Sequence, residues 1–328
     1  MVSHQDGTRE NATAHASRPR KSRVWLWIGS VGAVLVVVWG LGLCALLGIV
    51  SGAGNRSVAP VGGNAVGVIY IEGTIGVSIS GANGVSGETI LEYIKQAESD
   101  RRVKAIVVFI NSPGGTVVPS AEVYQALREA QKPVVAAMGD VAASGGYYIA
   151  CGADKIIAHP ATVTGSIGVY GQLINAADLF DKLGIEGIIV RSGKSKAAGN
   201  LFEHPTDEQL AIEQELVDEL YDLFVSAVAE GRGMDEAAVR ELADGRPYTG
   251  QQALQLGLVD ALGSLPDAIT EAAQMANIEG EPRVVQYRRV PSLLEVWLGA
   301  RESNLGDLAI VEWLDAQYAL PQARYVGP

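Results

Sequence analysis

The sequence predicts an α/β domain built on a parallel β-sheet with flanking helices, preceded by a single apolar segment near the N-terminus. Strand-like and helix-like segments alternate from residue 64 onward, a pattern typical of parallel strands joined by crossover helices. Residues 24–50 carry no charged side chain. Of the 328 residues, 48% are hydrophobic, which is enough to fill a large core.

The apolar run over residues 24–50 is longer than the about 20 residues that a helix needs to cross a bilayer. It also exceeds the roughly 7–15 apolar residues of a cleavable signal peptide, so we expect a retained transmembrane helix, with a cleaved signal as the alternative. Four Lys or Arg side chains stand directly before the run, within residues 18–23, whereas only Arg56 follows it closely. This bias predicts a disordered cytoplasmic tail over residues 1–23 and a domain outside the cell membrane.

Charge and cysteine content exclude several classes of partner and site. Residues 1–50 hold five basic and two acidic side chains of the chain's 25 and 37, which leaves 20 basic and 35 acidic ones beyond the apolar run. Such an acidic domain is a poor partner for nucleic acid or anionic lipid. Cys44 lies in the apolar run and Cys151 in the domain, so no internal disulfide and no thiol metal site are expected.

A Gly, Ser and Pro-rich linker is predicted over residues 51–63, and two successive β-α units are predicted after it. The segments in chain order are a strand over 65–73, a helix over 87–100, a buried strand over 103–110, a helix over 118–131 and a strand over 132–139.

The longest helix is predicted over residues 206–233, where apolar side chains recur at helical spacing after a capping box of Thr206 and Gln209. We take residues 64–275 as the domain and residues 276–328 as a C-terminal extension. That extension contains a possible strand over 283–289, and it could cap the domain, lie on the membrane or form a subunit contact.

Three glycine-rich stretches fall where predicted strands end: "NSPGG" at 111–115, "ASGG" at 143–146 and "TGSIG" at 164–168. Ligands collect at the carboxyl ends of parallel strands, and glycine N–H groups there can form an anion or oxyanion hole. Ser144 of "ASGG" is a candidate nucleophile at a helix start. The alternatives are ordinary glycine turns and a plain serine helix cap.

A nucleophilic serine needs a base, and the histidines of the domain are poor candidates. His159 and His204 both adjoin proline, as expected for loop or surface residues. Lysine is the other known base, provided that it is desolvated and neutral. Lys194 and Lys196 of "SGKSK" follow a strand-like run and have small neighbours. A phosphate-binding P-loop is excluded, because that motif requires glycine where Ile188 stands.

Six segments, in this order, carry a resemblance to a known family: "GVIYIEGTI", "VVFINSPGG", "ASGGYYIACGADKIIAHPATVTGSIGV", "SGKSKAAG", "EGRG" and "ADGRPYTGQQALQLGLVD". Over residues 64–275 the chain resembles the signal peptide peptidase A family of serine–lysine peptidases, relatives of the Clp protease and crotonase folds. The resemblance implies Ser144 as nucleophile, Lys196 as general base with Lys194 in reserve, Ser166 as the hydroxyl that orients the lysine, and Gly114 as oxyanion donor. On chemical grounds we add the N–H of Gly145.

The implied activity is peptide hydrolysis by a serine endopeptidase without metal or nucleotide cofactor. Single-domain members of the family assemble as rings in which neighbouring subunits supply serine and lysine, so we expect a homo-oligomer. The expected substrates are apolar signal peptides at the outer face of the cytoplasmic membrane, bound in pockets lined by "VVP" and "YYIA". The alternatives are a peptidase that acts on other membrane proteins and a catalytically silent scaffold.

Overall fold

The computed structural model describes residues 64–76 and 84–288. The predicted tail, transmembrane helix and linker lie outside these residues, as do residues 289–328 of the C-terminal extension. None of the helices in the described ranges is long and apolar enough to cross a membrane.

The strands belong to two sheets in the described part of the chain. In chain order they are β1 (Ala65–Glu72), β2 (Thr74–Ile75), β3 (Gly84–Val85), β4 (Val103–Ser112), β5 (Val134–Ala143), β6 (Lys155–Ala158), β7 (Val163–Gly165), β8 (Pro247–Thr249), β9 (Ala261–Leu262) and β10 (Arg283–Tyr287). The large sheet has the order β10-β1-β4-β5-β6-β9, and β7 joins it beside β5. All of its pairings are parallel except that between β7 and β8.

The helices cover both faces of this sheet. They are α1 (Gly87–Ser99), α2 (Val117–Arg128), α3 (Gly145–Ala150), α4 (Ala177–Leu183), α5 (Asp207–Arg232), α6 (Glu236–Leu242), α7 (Gly250–Gln255) and α8 (Leu265–Met275). Apolar residues of α1, α2, α3 and α5 share one core with one face of the sheet, while α8 packs on the other face. The predicted α/β class with a parallel sheet is therefore confirmed.

The central strands read as continuous apolar runs because both of their faces are buried. Every described residue of "AIVV" at 105–108 is buried, and so is the stretch "VVAAM" at 134–138 of β5. Two-sided burial removes the alternation of polar and apolar residues that a half-exposed strand would show. The strands predicted over 65–73, 103–110 and 132–139 are confirmed by β1, β4 and β5.

A register shift between β4 and β5 sets the position of the site. Ile110 pairs with Met138, but Ser112 pairs with Ala142, so β5 has a bulge that β4 lacks. The Asn111 side-chain oxygen accepts the N–H of Val141 at 3.2 Å and fills the bulge. The extra residues of β5 do not advance along the sheet, so Ser144 lies level with Gly114 at the carboxyl edge.

The predicted long helix forms, whereas the predicted strand before Lys194 does not. The long helix is confirmed as α5, and its N-terminus has both hydrogen bonds of the Thr206–Gln209 capping box. The strand-like run before Lys194 forms no strand, and the side chains of Ile188 and Val190 are 84% and 94% exposed. No strand of the described chain pairs with this run. Strand-forming residues without a pairing partner do not form a strand, so the backbone here is irregular.

Candidate active site

Ser144 occupies a sharp turn between β5 and α3. Its backbone has φ 51° and ψ −122°, a left-handed conformation that costs a residue with a side chain about 1–3 kcal/mol. The Ser144 N–H donates to the Gly165 carbonyl at 2.8 Å, which ties the turn to the end of β7. The Ser144 side chain makes no capping hydrogen bond to α3. Ser144 is therefore the N-cap residue of α3 by position, but its hydroxyl does not cap the helix and has no partner among the described residues.

Small residues let the turn pack closely against its neighbours. A Cβ on Gly145 would lie 2.5 Å from the Ser120 hydroxyl oxygen, and one on Gly146 would lie 3.1 Å from the Ser112 carbonyl. Behind the turn, the buried Thr164 hydroxyl donates to the Ala142 carbonyl at 2.7 Å. These contacts fix the last residues of β5 and with them the position of Ser144.

The "NSPGG" loop lies beside Ser144. Gly114 has φ 110°, and a Cβ there would lie 2.8 Å from both the Ser144 Cβ and the Gly145 nitrogen. The Gly114 N–H donates to the Ser112 hydroxyl at 3.0 Å, so the donor that the sequence singled out is already engaged in this structure. The next N–H, that of Gly115, has no acceptor among the described residues.

A cavity of about 440 Å³ opens at Ser144. The side chains that surround it are mainly apolar. The lining residues are Gly115, Thr116, Val117, Val118, Ser120, Ser144, Gly145, Tyr148, Gly168, Val169, Tyr170, Leu220 and Phe224. Val117, Val118 and Tyr148 come from the predicted "VVP" and "YYIA" segments. Such a pocket suits an apolar side chain next to a cleaved bond.

Two aromatic side chains, Tyr148 and Phe224, line part of this cavity. Their rings lie 4.8 Å apart, and Tyr124 meets Tyr148 edge-on at 5.4 Å. Burial raises the pKa of Tyr148, so its hydroxyl stays protonated at neutral pH. The aromatic part of the lining is therefore uncharged.

Ser166 lies one residue beyond the carbonyl that holds Ser144. It is half-buried and has φ 50°, and its N–H donates to the Arg246 carbonyl at 3.0 Å. Ser144, Ser166 and Asn277 are the non-glycine residues with positive φ in the described ranges. Two of these three residues are thus serines, Ser144 and Ser166. They are linked through Gly165, which precedes Ser166 in the chain and accepts the Ser144 N–H.

The predicted base does not reach Ser144 within one chain. Lys196 is exposed, and Lys194 is paired with Glu208 at 2.6 Å with 78% of its side chain exposed. His159 and His204 are also on the surface, as predicted. The described residues that line the cavity include no lysine, histidine or carboxylate.

Sequence reasoning missed three residues around Ser144. Ser112 and Gly115 stand inside "NSPGG" and Thr164 begins "TGSIG", so the motifs included them without revealing their parts. Which of two adjacent glycines keeps a free N–H depends on one side-chain hydrogen bond. This hydrogen bond, from the Gly114 N–H to the Ser112 hydroxyl, is visible only in the folded structure.

Similarity to known proteins identifies the family of this chain. The model of peptidase family S49 matches residues 126–279, and the Clp protease model matches residues 69–164. An Enterococcus faecium protein named "Putative signal peptide peptidase SppA" is 35% identical over 266 residues, which are 80% of this chain and 74% of that protein. The chain belongs to peptidase family S49.

This S49 peptidase is a serine peptidase, and its relatives differ in length. Protease 4 of Haemophilus influenzae is 35% identical over 229 residues, which are 68% of this chain but 37% of that protein. "Serine protease SPPA, chloroplastic" of Arabidopsis thaliana is 32% identical over 79% of this chain and 38% of its own length. This chain therefore matches a minor part of the two longer relatives.

Two solved structures are similar at lower sequence identity. A variant of the 1510-N membrane-bound stomatin-specific protease aligns with TM-score 0.44 at 19% identity, over 70% of this S49 peptidase and 100% of that chain. A variant of ClpP1 from Listeria monocytogenes aligns with TM-score 0.42 at 17% identity, over 62% and 94% of the two chains.

Proposed function

We propose that this S49 peptidase is a membrane-anchored endopeptidase that degrades signal peptides remaining after protein secretion. The observation that carries the proposal is the Ser144 hydroxyl, which makes no helix-capping hydrogen bond and lines an apolar cavity. Signal peptides contain an apolar core, which matches the lining of this cavity. The name of the Enterococcus faecium relative agrees with this substrate class.

In the proposed reaction, the neutral amine of Lys196 removes the proton from the Ser144 hydroxyl, and the oxygen attacks the substrate carbonyl carbon. The N–H groups of Gly115 and Gly145 stabilise the negative oxygen of the tetrahedral intermediate. The protonated lysine then donates to the leaving amine, and water hydrolyses the acyl-enzyme in a second cycle. We move the first oxyanion donor from Gly114 to Gly115, because the Gly114 N–H is bonded to Ser112.

We further propose that Lys196 acts on Ser144 of a neighbouring subunit. Two observations support this arrangement: Lys196 is exposed in its own chain, and Ile188 and Val190 nearby expose apolar side chains that a subunit contact would cover. Removal from water favours the neutral amine that a base needs. Ser166, joined to Ser144 through Gly165, is the proposed hydroxyl that orients this amine.

The proposed location is the outer face of the cytoplasmic membrane, with residues 24–50 as a single-pass anchor and residues 1–23 in the cytoplasm. The support is the charge distribution of the sequence, in which basic residues precede the apolar run. Protease accessibility of the domain in intact cells or spheroplasts tests this orientation.

The test of the chemistry is a peptidase assay on a signal-peptide substrate with three variants. Ser144→Ala and Lys196→Ala are expected to abolish turnover, whereas Lys194→Ala is expected to retain it and serves as the matched control. Turnover that survives Ser144→Ala would overturn the mechanism. Turnover lost only in Lys194→Ala would move the base to that residue.

Subunit mixing tests the shared site. Ser144→Ala and Lys196→Ala subunits, each inactive alone, are expected to regain partial activity when they co-assemble, because one interface then holds both native residues. Co-assembled mixtures that stay inactive would contradict sharing. Sequencing the peptides released from whole membranes separates signal peptides from other membrane-protein substrates.

A further inference from the structure

Ser112 is a buried polar residue to which the proposed reaction assigns no part. It is the last residue of β4 and is fully buried. Its hydroxyl accepts the Gly114 N–H at 3.0 Å and lies 3.4 Å from the Gly114 carbonyl oxygen, to which it can donate. A buried hydroxyl is costly unless it is hydrogen-bonded, and both of these contacts go to the same residue.

The Ser112 hydrogen bond closes a tight turn around Pro113. Serine hydroxyls commonly bond the N–H two residues ahead, and the proline ring restricts the residue in between. Gly114 completes the turn with φ 110°, a conformation that glycine adopts freely. The result is a short rigid link between β4 and the loop beside Ser144.

The direction of the Gly115 N–H follows from this turn. The Gly114 carbonyl accepts the Ile75 N–H at 2.9 Å, and a Cβ on Gly115 would lie 2.0 Å from the Ile75 carbonyl oxygen. In a trans peptide the C=O and the following N–H point in opposite directions. The Gly115 N–H therefore points away from Ile75. On the side of Ser144, the Cβ position of Gly145 lies 3.2 Å from the Gly115 nitrogen.

We propose that Ser112 is a positioning residue that aims the Gly115 N–H at the oxyanion. Its hydroxyl engages the competing Gly114 N–H and holds the peptide between Gly114 and Gly115 in one orientation. Without that hydroxyl, the Gly114 N–H is unpaired and the peptide is restrained only from the Ile75 side. This inference rests on the proposed acyl transfer at Ser144.

The experiment compares Ser112→Ala and Ser112→Cys with the native enzyme in the assembled, full-length protein. Cysteine keeps the side-chain shape with a somewhat larger atom in place of oxygen, and it is a weak hydrogen-bond partner. It therefore provides a second variant if the space left by alanine impairs folding. We expect kcat to fall by about 10- to 100-fold with KM nearly unchanged, less than the roughly 10²–10³ caused by loss of a whole oxyanion donor.

Inhibitor binding separates positioning from a general structural effect. A peptide aldehyde forms a tetrahedral adduct with serine, whereas the corresponding peptide acid binds without one. The aldehyde is expected to bind the Ser112 variants more weakly by about the same factor as kcat falls, while the affinity for the peptide acid stays unchanged. Ser112→Thr, which retains the hydroxyl, is expected to recover most of the lost kcat.

Thr162→Val is the matched control, because Thr162 is equally buried and its hydroxyl donates to the Gly139 carbonyl at 2.7 Å, in the β5 bulge. It should lower thermal stability without changing the ratio of aldehyde to acid affinity. An unchanged ratio in both Ser112 variants would overturn the inference. Retained turnover in Ser144→Ala would instead overturn the proposed function, so the two failures are distinguishable.

Discussion

The two parts of the proposed site differ in how they are held. The elbow region, residues 103–168, contains the strands β4, β5 and β7, whose backbone groups are paired with one another and, at Thr164, with a buried hydroxyl. The lysine segment, residues 169–206, has exposed apolar side chains and is linked mostly to itself, as in the stacking of Phe180 on Phe202 at 4.5 Å. One chain thus holds the proposed nucleophile, Ser144, in a well-packed turn and leaves the proposed base at the surface.

The difference indicates that contacts within one chain fix the position of Ser144. The position of the lysine segment would have to be fixed by contacts with another subunit. Residues around Ser144 are held by several contacts at once, from β4, β7 and the "NSPGG" loop. Ile188 and Val190 have no such support in the described chain. A second subunit would supply it, and would complete the site at the same moment.

The largest effect is expected from charging the lysine segment. Ile188→Asp with Val190→Asp places carboxylates on side chains that are exposed in one chain, so each subunit should fold with unchanged thermal stability. The proposed subunit contact would be disrupted, and peptidase activity lost with it. Analytical ultracentrifugation and the peptidase assay measure the two effects. Val284→Asp, at an exposed apolar residue of β10, is the control, and an active, assembled double variant would contradict the prediction.

Glycine substitutions compare the two regions directly. Gly115→Ala would place a Cβ 2.0 Å from the Ile75 carbonyl oxygen, whereas a Cβ on Gly193 meets nothing within 4 Å. We expect Gly115→Ala to lower the free energy of unfolding by about 1–3 kcal/mol and to reduce activity. Gly193→Ala should stay within about 0.5 kcal/mol of the native protein. Equal stability of both variants in urea denaturation would contradict the proposed difference in packing between the elbow region and the lysine segment.

A smaller effect is expected from the buried hydroxyl of Thr164, which lies behind the proposed nucleophile. Thr164→Val removes the donor to the Ala142 carbonyl at 2.7 Å while keeping the side-chain shape. The expected loss is about 1–3 kcal/mol of stability, because a buried carbonyl loses its partner. Thermal unfolding measures it, and Thr164→Ser, which keeps the hydroxyl, should lose less. If serine and valine are equally destabilising, the hydroxyl does not hold β5.

The smallest effect is expected at the surface ion pair of Lys194 and Glu208. Both side chains are mostly exposed, so solvent screens the pair and Glu208→Gln should cost less than about 1 kcal/mol. Activity should be unchanged. A large loss of turnover in Glu208→Gln, with normal stability, would instead connect Lys194 to the chemistry.

Much of the elbow region could be predicted from sequence, because its signals are local. Apolar runs predicted β4 and β5, and the glycines after these strands marked the loop and the turn that meet at Ser144. The choice between Gly114 and Gly115 could not be made, since it depends on which N–H the Ser112 hydroxyl accepts.

The lysine segment was less predictable, because its structure depends on partners far away in sequence or in another chain. The run containing Ile188 and Val190 has strand composition, yet no sheet edge of the described chain lies beside it. Small neighbours suggested an inward lysine, but Lys196 is exposed. Residue type alone does not supply the surface against which a side chain is buried.

The left-handed backbone of Ser144 bears on the evolutionary history of the chain. Glycine would adopt φ 51° with less strain, so Ser144→Gly should give a more heat-resistant but inactive protein. A lineage that kept only the fold would gain from that exchange and would be free to make it. A serine in this strained conformation is typical of a stability–activity trade-off, which a silent scaffold would not need.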